Sequence, residues 1–185
     1  MAVKLSRRLL STEEYYSMAK IGILSPDEKV ELIRGEIITM SPIGNKHAYV
    51  VDQLNRVLFS KLIDKAHIRV QNPVSLDNYT EPEPDITIAK LPFQQYKTKH
   101  PKADDIHFII EVSGSSFEFD KKVKLPLYAS MSIPEVWLVN LEKDTIEVHK
   151  TLKHTTYQQI EVYQIGAEIP LSSFEVKLRV GEIFG

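Results

Sequence analysis

Glu111 sits in the run Phe108-Ile109-Ile110-Glu111-Val112, apolar enough to read as a strand covered on both faces. A lone carboxylate there is costly to desolvate, so it must be paired, protonated or bound to a cation. Asp85 follows Pro84 and opens a second apolar stretch, Ile86 to Ala89. A strand-initial Asp often only caps a turn. Two carboxylates 26 residues apart, if on adjacent strands, would instead present the hard oxygen ligands that magnesium or manganese takes. The run from Phe117 to Ser130 adds Asp120, Lys124 and Tyr128 at i, i+4 and i+8, one face of a helix. Such a face is usually solvated. Turned toward the sheet, it would place Lys124 beside Glu111, where an ammonium near a metal can position water and stabilise charge on a phosphate.

These residues need elements to hold them. Ser11 and Glu14 have the form of a capping box, so a helix is expected from Thr12 to about Lys20, ending near Gly22. Residues 29–40 read as two short strands joined at Arg34-Gly35. In the first of them, Glu31 and Ile33 point opposite to Val30 and Leu32, which leaves Glu31 facing solvent at a strand edge or joining an acidic site. From His47 to about Ile63, Val51, Leu54, Leu58 and Leu62 recur at helical spacing. His67 to Leu76 is extended and interrupted at Pro73, and residues 91–105 read as a surface connection with a helical turn. A helix is expected over 118–130 and a hairpin over 136–149. Further strands are expected near 157–163 and 176–180. The expected whole is one mixed α and β domain, residues 1–185, of the α+β class. A central mixed sheet is flanked by helices and followed by extra C-terminal strands.

Composition narrows the chemistry. The chain has 185 residues, 43% hydrophobic and 26% charged, enough to bury a core without staples. It has no cysteine, which excludes thiolate zinc sites and a Cys nucleophile. A net charge of -2 excludes a histone-like basic coat, so any polyanion must be met by a local basic strip. No P-loop, dinucleotide-binding glycine pattern, hydrolase G-x-S-x-G elbow or zinc-type histidine spacing occurs. The opening residues lack the apolar run of a signal peptide, and no segment is long enough to span a bilayer, so no membrane and a cytoplasmic location are expected. Trp137, between Val136 and Leu138, is expected in the core.

In order along the chain, these features resemble the Uma-type restriction endonucleases of the PD-(D/E)XK nuclease superfamily. VELIRGEIITMSP at 30–42 resembles the family's opening strand pair, and Gly44-Asn45-Lys46-His47 the start of its next helix. Pro84-Asp85-Ile86 resembles the PD strand, and IIEVSGSS at 109–116 the strand of the catalytic glutamate. Asp120, Lys124 and Tyr128 resemble the following helix, and IPEVWLVN at 133–140 the strand after it. The superfamily's plain form has a lysine two residues after the glutamate. Ser113 stands there in this chain, and the resemblance implies that Lys124 takes the role.

The resemblance implies a restriction-endonuclease-like core and magnesium-dependent hydrolysis of DNA, with manganese as a substitute. Asp85, Glu111 and the carbonyl of Val112 would hold the metal, Lys124 would activate water, and Glu31 would complete the acidic cluster. Asp120, Tyr128 and Ser113 would support them, while His47 would cap or pack the helix start or contact substrate. The basic strip would draw on Lys46, Arg56, Lys121 and Lys122, and a homodimer would suit double-strand cleavage. Ser113 also motivates a rival reading, a nuclease-fold protein with little activity that binds nucleic acid or serves as a scaffold. A metal-free protein with ordinary salt bridges is a third.

Overall fold

The computed structural model describes residues 7–185. The opening segment, whose lack of a signal-type run was noted above, lies partly outside the described residues. Helix α1 (Thr12–Lys20) carries the expected capping box, with the Ser11 hydroxyl accepting from the Glu14 amide and the Glu14 carboxylate accepting from the Ser11 amide. Strands β1 (Val30–Ile33) and β2 (Glu36–Thr39) form an antiparallel hairpin. Its turn places Gly35 at φ +76°, so close to Leu9 that a Cβ would lie 2.6 Å from the Leu9 Cβ. Helix α2 (Asn45–Leu62) follows.

The centre is a sheet of six strands in the order β3-β4-β5-β6-β7-β8. These are His67–Val70, Ile86–Ala89, Ile106–Ser113, Val136–Asn140, Thr145–Lys153 and Thr156–Gln164. The β5–β6 pair is parallel and the other four are antiparallel. A parallel pair needs a crossover. Here it is a broken helix: α3 (Phe117–Phe119), a π-helical turn (Asp120–Lys124) and α4 (Leu125–Ser130). Strands β9 (Glu168–Leu171) and β10 (Val176–Arg179) form a separate antiparallel pair on the α2 side of the sheet, and α5 (Gly181–Phe184) closes the chain.

Alternation along β5 divides the core. Ile110 and Val112 face α2, packing with Leu54, Leu58, Ile86, Trp137 and the C-terminal strands. Ile109 faces the broken helix, packing with Phe117, Tyr128 and Leu138. Glu111 alternates with the α2-facing set and therefore shares the face of Ile109. Trp137 is fully buried and stacks on Phe108 at 5.0 Å, as its surroundings in sequence implied.

The structure departs from the sequence reading in three places. The helix expected over 118–130 contains a π-helical turn, because one extra residue is accommodated where Asp120 and Lys124 both turn inward. The extended stretch from His67 is a strand only to Val70. Strand β9 and helix α5 were not anticipated. Among the described residues no helix is long and apolar enough to cross a membrane.

Candidate active site

The β1–β2 hairpin is tied to residues 80–84 through a bridge between Leu32 and Glu81. That segment then runs directly into β4, so it carries the hairpin over the start of the central sheet. Glu31 is thereby buried, 2% exposed, with one carboxylate oxygen accepting the Glu83 amide at 3.2 Å. All four residues of β1 are buried, so the solvent-facing position open to Glu31 in sequence is not the one it takes.

Asp85 lies one step before Ile86, whose partner on β5 is Ile110, so Asp85 stands opposite Glu111. Its carboxylate sits among donors. The Val112 amide donates to Oδ2 at 2.9 Å and Gln71 Nε2 donates to Oδ1 at 3.2 Å. His47 Nε2 lies 3.1 Å from both oxygens. The hydrogen bond to Asp85 raises the His47 pKa against the opposing effect of burial, and the Val112 carbonyl nearby adds to the rise. His47 therefore does not cap: the N-cap of α2 is Gly44, and the imidazole braces Asp85.

Glu111 is 3% exposed. Tyr128 donates to its Oε1 at 2.5 Å and Lys124 Nζ lies 3.4 Å from the same oxygen. Burial pushes the carboxyl up to about 8; Lys124 pulls it down, and Asp120, Asp85 and Glu31 push it up again. Lys124 also pairs with Glu31 Oε1 at 3.2 Å. Burial opposes its charge, but Glu111, Glu31 and Asp120 outweigh burial and hold the ammonium above its ordinary value. The helix face thus points inward, not to solvent. Asp120, 6% exposed, is raised to about 6, chiefly by burial, with Lys124 and the Ser113 hydroxyl acting against the rise. The Tyr128 phenol is held well above its ordinary range by burial, then by the charge of Glu111. Ser113 is buried, and nothing cationic stands at its position.

Glu31, Asp85, Glu111, Lys124, Asp120, His47 and Val112 all line one cleft of about 750 Å³. Tyr128 lies beneath it. Lys29, Gln71 and Glu83 line it as well and were missed in sequence. Glu83 belongs to the acidic run 81–85 but resembles a solvated loop residue. Burial and Glu31 raise its pKa.

The four basic residues considered for a DNA strip are not brought together. Lys46 lines the cleft but is engaged by the Leu141 carbonyl and Asp144. Arg56 bonds Gln53, Lys121 pairs with Glu147, and Lys122 pairs with Glu118, all outside the cleft lining.

The donor set suits a small hard cation. Four carboxylates, Glu31, Asp85, Glu111 and Asp120, surround one lysine and one histidine, leaving negative charge in surplus. Among the described residues no three carboxylates or imidazoles converge into an ion cage.

The family model of Uma2, described as "Putative restriction endonuclease", matches residues 12–181. Among solved structures, a crystal structure titled as a putative nuclease belonging to DUF820, from Anabaena variabilis ATCC 29413, is similar in fold. Its TM-score is 0.73 at 18% identity, over 95% of this chain and 97% of that one. No curated protein matches.

Proposed function

The chain belongs to the Uma2 restriction endonuclease family, and from that premise we propose that it is a magnesium-dependent endonuclease that hydrolyses DNA phosphodiester bonds. The observation that carries this reading is Lys124. It reaches from the crossover helix to Glu31 and Glu111, in the cleft that Asp85 also lines.

Asp85, Glu111 and the Val112 carbonyl would hold magnesium, which when bound would neutralise charge on the scissile phosphate and make a bound water a better nucleophile. Manganese would serve in the same donor set. Lys124 would orient the attacking water and face the phosphate oxygens, with its charge secured by Glu31 and Glu111. Tyr128 fixes the Glu111 carboxylate from below. His47 and Gln71 fix Asp85, so its orientation does not depend on the substrate. Asp120, near Lys124, adds to the field that keeps the lysine protonated.

One second reading has an observation behind it. Ser113 fills the strand position of the usual lysine, and a fold that kept DNA binding but lost cleavage would look the same there. Supercoiled plasmid incubated with magnesium separates the two. Nicking or linearisation by the wild type that is absent from both Asp85→Ala and Glu111→Ala supports the nuclease. Turnover that persists in either variant, or a wild type that never cleaves, removes it.

The same reading takes residues 1–185 as one endonuclease domain acting in the cytoplasm. A homodimer would supply the second site needed for double-strand cleavage.

A further inference from the structure

Residues 90–102, KLPFQQYKTKHPK, hold four lysines, one histidine and no carboxylate, in a chain of net charge -2. This segment wraps the free edge of the central sheet, strand β3. The Tyr96 ring stacks on His67 with centroids 5.8 Å apart and planes 13° from parallel. Phe93 lies against the same imidazole, also at 5.8 Å, and remains 55% exposed. The Arg69 guanidinium sits 5.9 Å from the centre of the Tyr96 ring. Tyr96 is held from behind, its hydroxyl donating to the Lys90 carbonyl at 2.8 Å.

Among the described residues most of these charges have no acidic partner. Arg69 is half-buried, yet its contacts are the Pro73 carbonyl at 3.4 Å and a His100 ring nitrogen at 3.3 Å. Its Nε is buried with no partner among the described residues. Of the four lysines only Lys99 has an ion pair among the described residues, with Asp105 at 3.6 Å. Core packing accounts for the Tyr96–His67 stack. It does not account for an exposed phenylalanine beside a guanidinium that no carboxylate neutralises.

Position adds direction. β3 leads from His67 straight to Gln71, whose side chain bonds Asp85. Four residues of strand span about 13 Å, about four base steps at B-form spacing.

We propose that this edge binds an unpaired segment of a DNA strand next to the cleft: Phe93 and the Tyr96–His67 pair stack against bases, while Arg69 and the lysines at 90, 97 and 102 contact phosphates. Stacking on aromatic rings with a basic border is how sequence-tolerant single-strand sites work. The proposal rests on the nuclease reading only in taking DNA as the ligand, and its test requires no cleavage.

The test is fluorescence anisotropy of the full chain in EDTA, with a labelled single strand of about 20 nucleotides and with its duplex, over a range of salt. The wild type is expected to prefer the single strand. Combined Lys90→Ala, Lys97→Ala and Lys102→Ala should weaken single-strand binding about tenfold or more and lower the salt slope by about 2. Phe93→Ala should weaken it about fivefold or more with the slope unchanged and duplex binding little affected. Lys153→Ala with Lys177→Ala and Arg179→Ala removes the same charge elsewhere and should leave affinity near wild type. Wild-type affinity in the lysine and Phe93 variants, an equal loss in the control, or no binding by the wild type overturns the proposal. Plasmid cleavage by the wild type together with unaffected binding in these variants would sink the platform and leave the nuclease reading standing. Platform-dependent binding without cleavage would do the opposite.

Discussion

At the residue scale, the cleft is held together by groups that favour protons. Glu111 is raised to about 8 from an ordinary 4.5, Asp120 to about 6 from 3.8, and His47 is raised above 6.5. A group whose value is higher in the folded chain contributes stability below its unfolded value and loses that contribution as pH rises through the folded one. All three therefore act in one direction. The melting temperature of the metal-free protein should fall from about pH 5 to pH 8, most steeply in the lower half of that range where Glu111 and Asp120 both still hold protons that the unfolded chain has lost, and level off above pH 8. Glu111→Gln keeps the acceptor for Tyr128 and removes the charge that burial disfavours, so it should melt no lower than wild type at pH 8 and show a shallower decline with pH. As a magnesium ligand Glu111 would have to give up its proton, so magnesium should raise the wild-type melting temperature more at pH 8 than at pH 6 and have little effect on Glu111→Gln. An equal magnesium shift in both proteins would count against Glu111 as a ligand. The residues that sequence offered were those whose chemistry conflicts with their surroundings: Glu111 in an apolar run, Asp85 at a strand mouth, Lys124 in step with Asp120 and Tyr128. Gln71 and Glu83 show no such conflict. They are polar residues in loops, and only the fold reveals that the loops are pressed into the cleft.

At the element scale, three supports converge: the hairpin carrying Glu31, the β4–β5 pair carrying Asp85 and Glu111, and the broken helix carrying Lys124. Periodicity made the hairpin and the paired strands legible, because alternation of two and turn residues such as Arg34-Gly35 are local signals. The π-helical turn was not legible, since Asp120 and Lys124 four apart fit an α-helix equally well, and the inward pull on both comes from the sheet. Strand β9 contains Pro170 and, among the described residues, pairs with β10 alone, so its identity depends on that partner and not on a local pattern. The basic edge was hidden for a related reason. Residues 91–105 look like a solvated connection until β3 supplies His67 and Arg69 to stack against. The hairpin offers a direct check. Gly35 adopts φ +76° and a Cβ there meets Leu9, so Gly35→Ala should cost about 1–3 kcal/mol of stability by denaturant titration. Because the hairpin delivers Glu31, the same variant should cleave more slowly even where it is fully folded. Full activity in a destabilised Gly35→Ala would separate the hairpin from the site.

At the scale of the molecule, the two proposals put binding and chemistry in different places. The cleft is rich in carboxylates and cannot attract a polyanion without a metal, while the basic edge along β3 can. On that reading a chain of net charge -2 would present DNA with one attractive border leading to one acidic centre. Substitutions on the border should therefore change affinity and its salt dependence, and substitutions in the centre should change the rate. Lys124 decides whether the centre works as proposed, since on that reading it takes the role of the strand lysine absent at Ser113. The most direct measurement is single-turnover cleavage of labelled DNA in magnesium by wild type and Lys124→Ala, with anisotropy binding and melting temperature recorded on the same samples. The expected result is a loss of cleavage rate of about a hundredfold or more, with DNA affinity within about twofold of wild type, since a single buried lysine already paired with Glu31 and Glu111 supplies little of the salt-dependent affinity. A folded Lys124→Ala that cleaves at the wild-type rate would contradict the account.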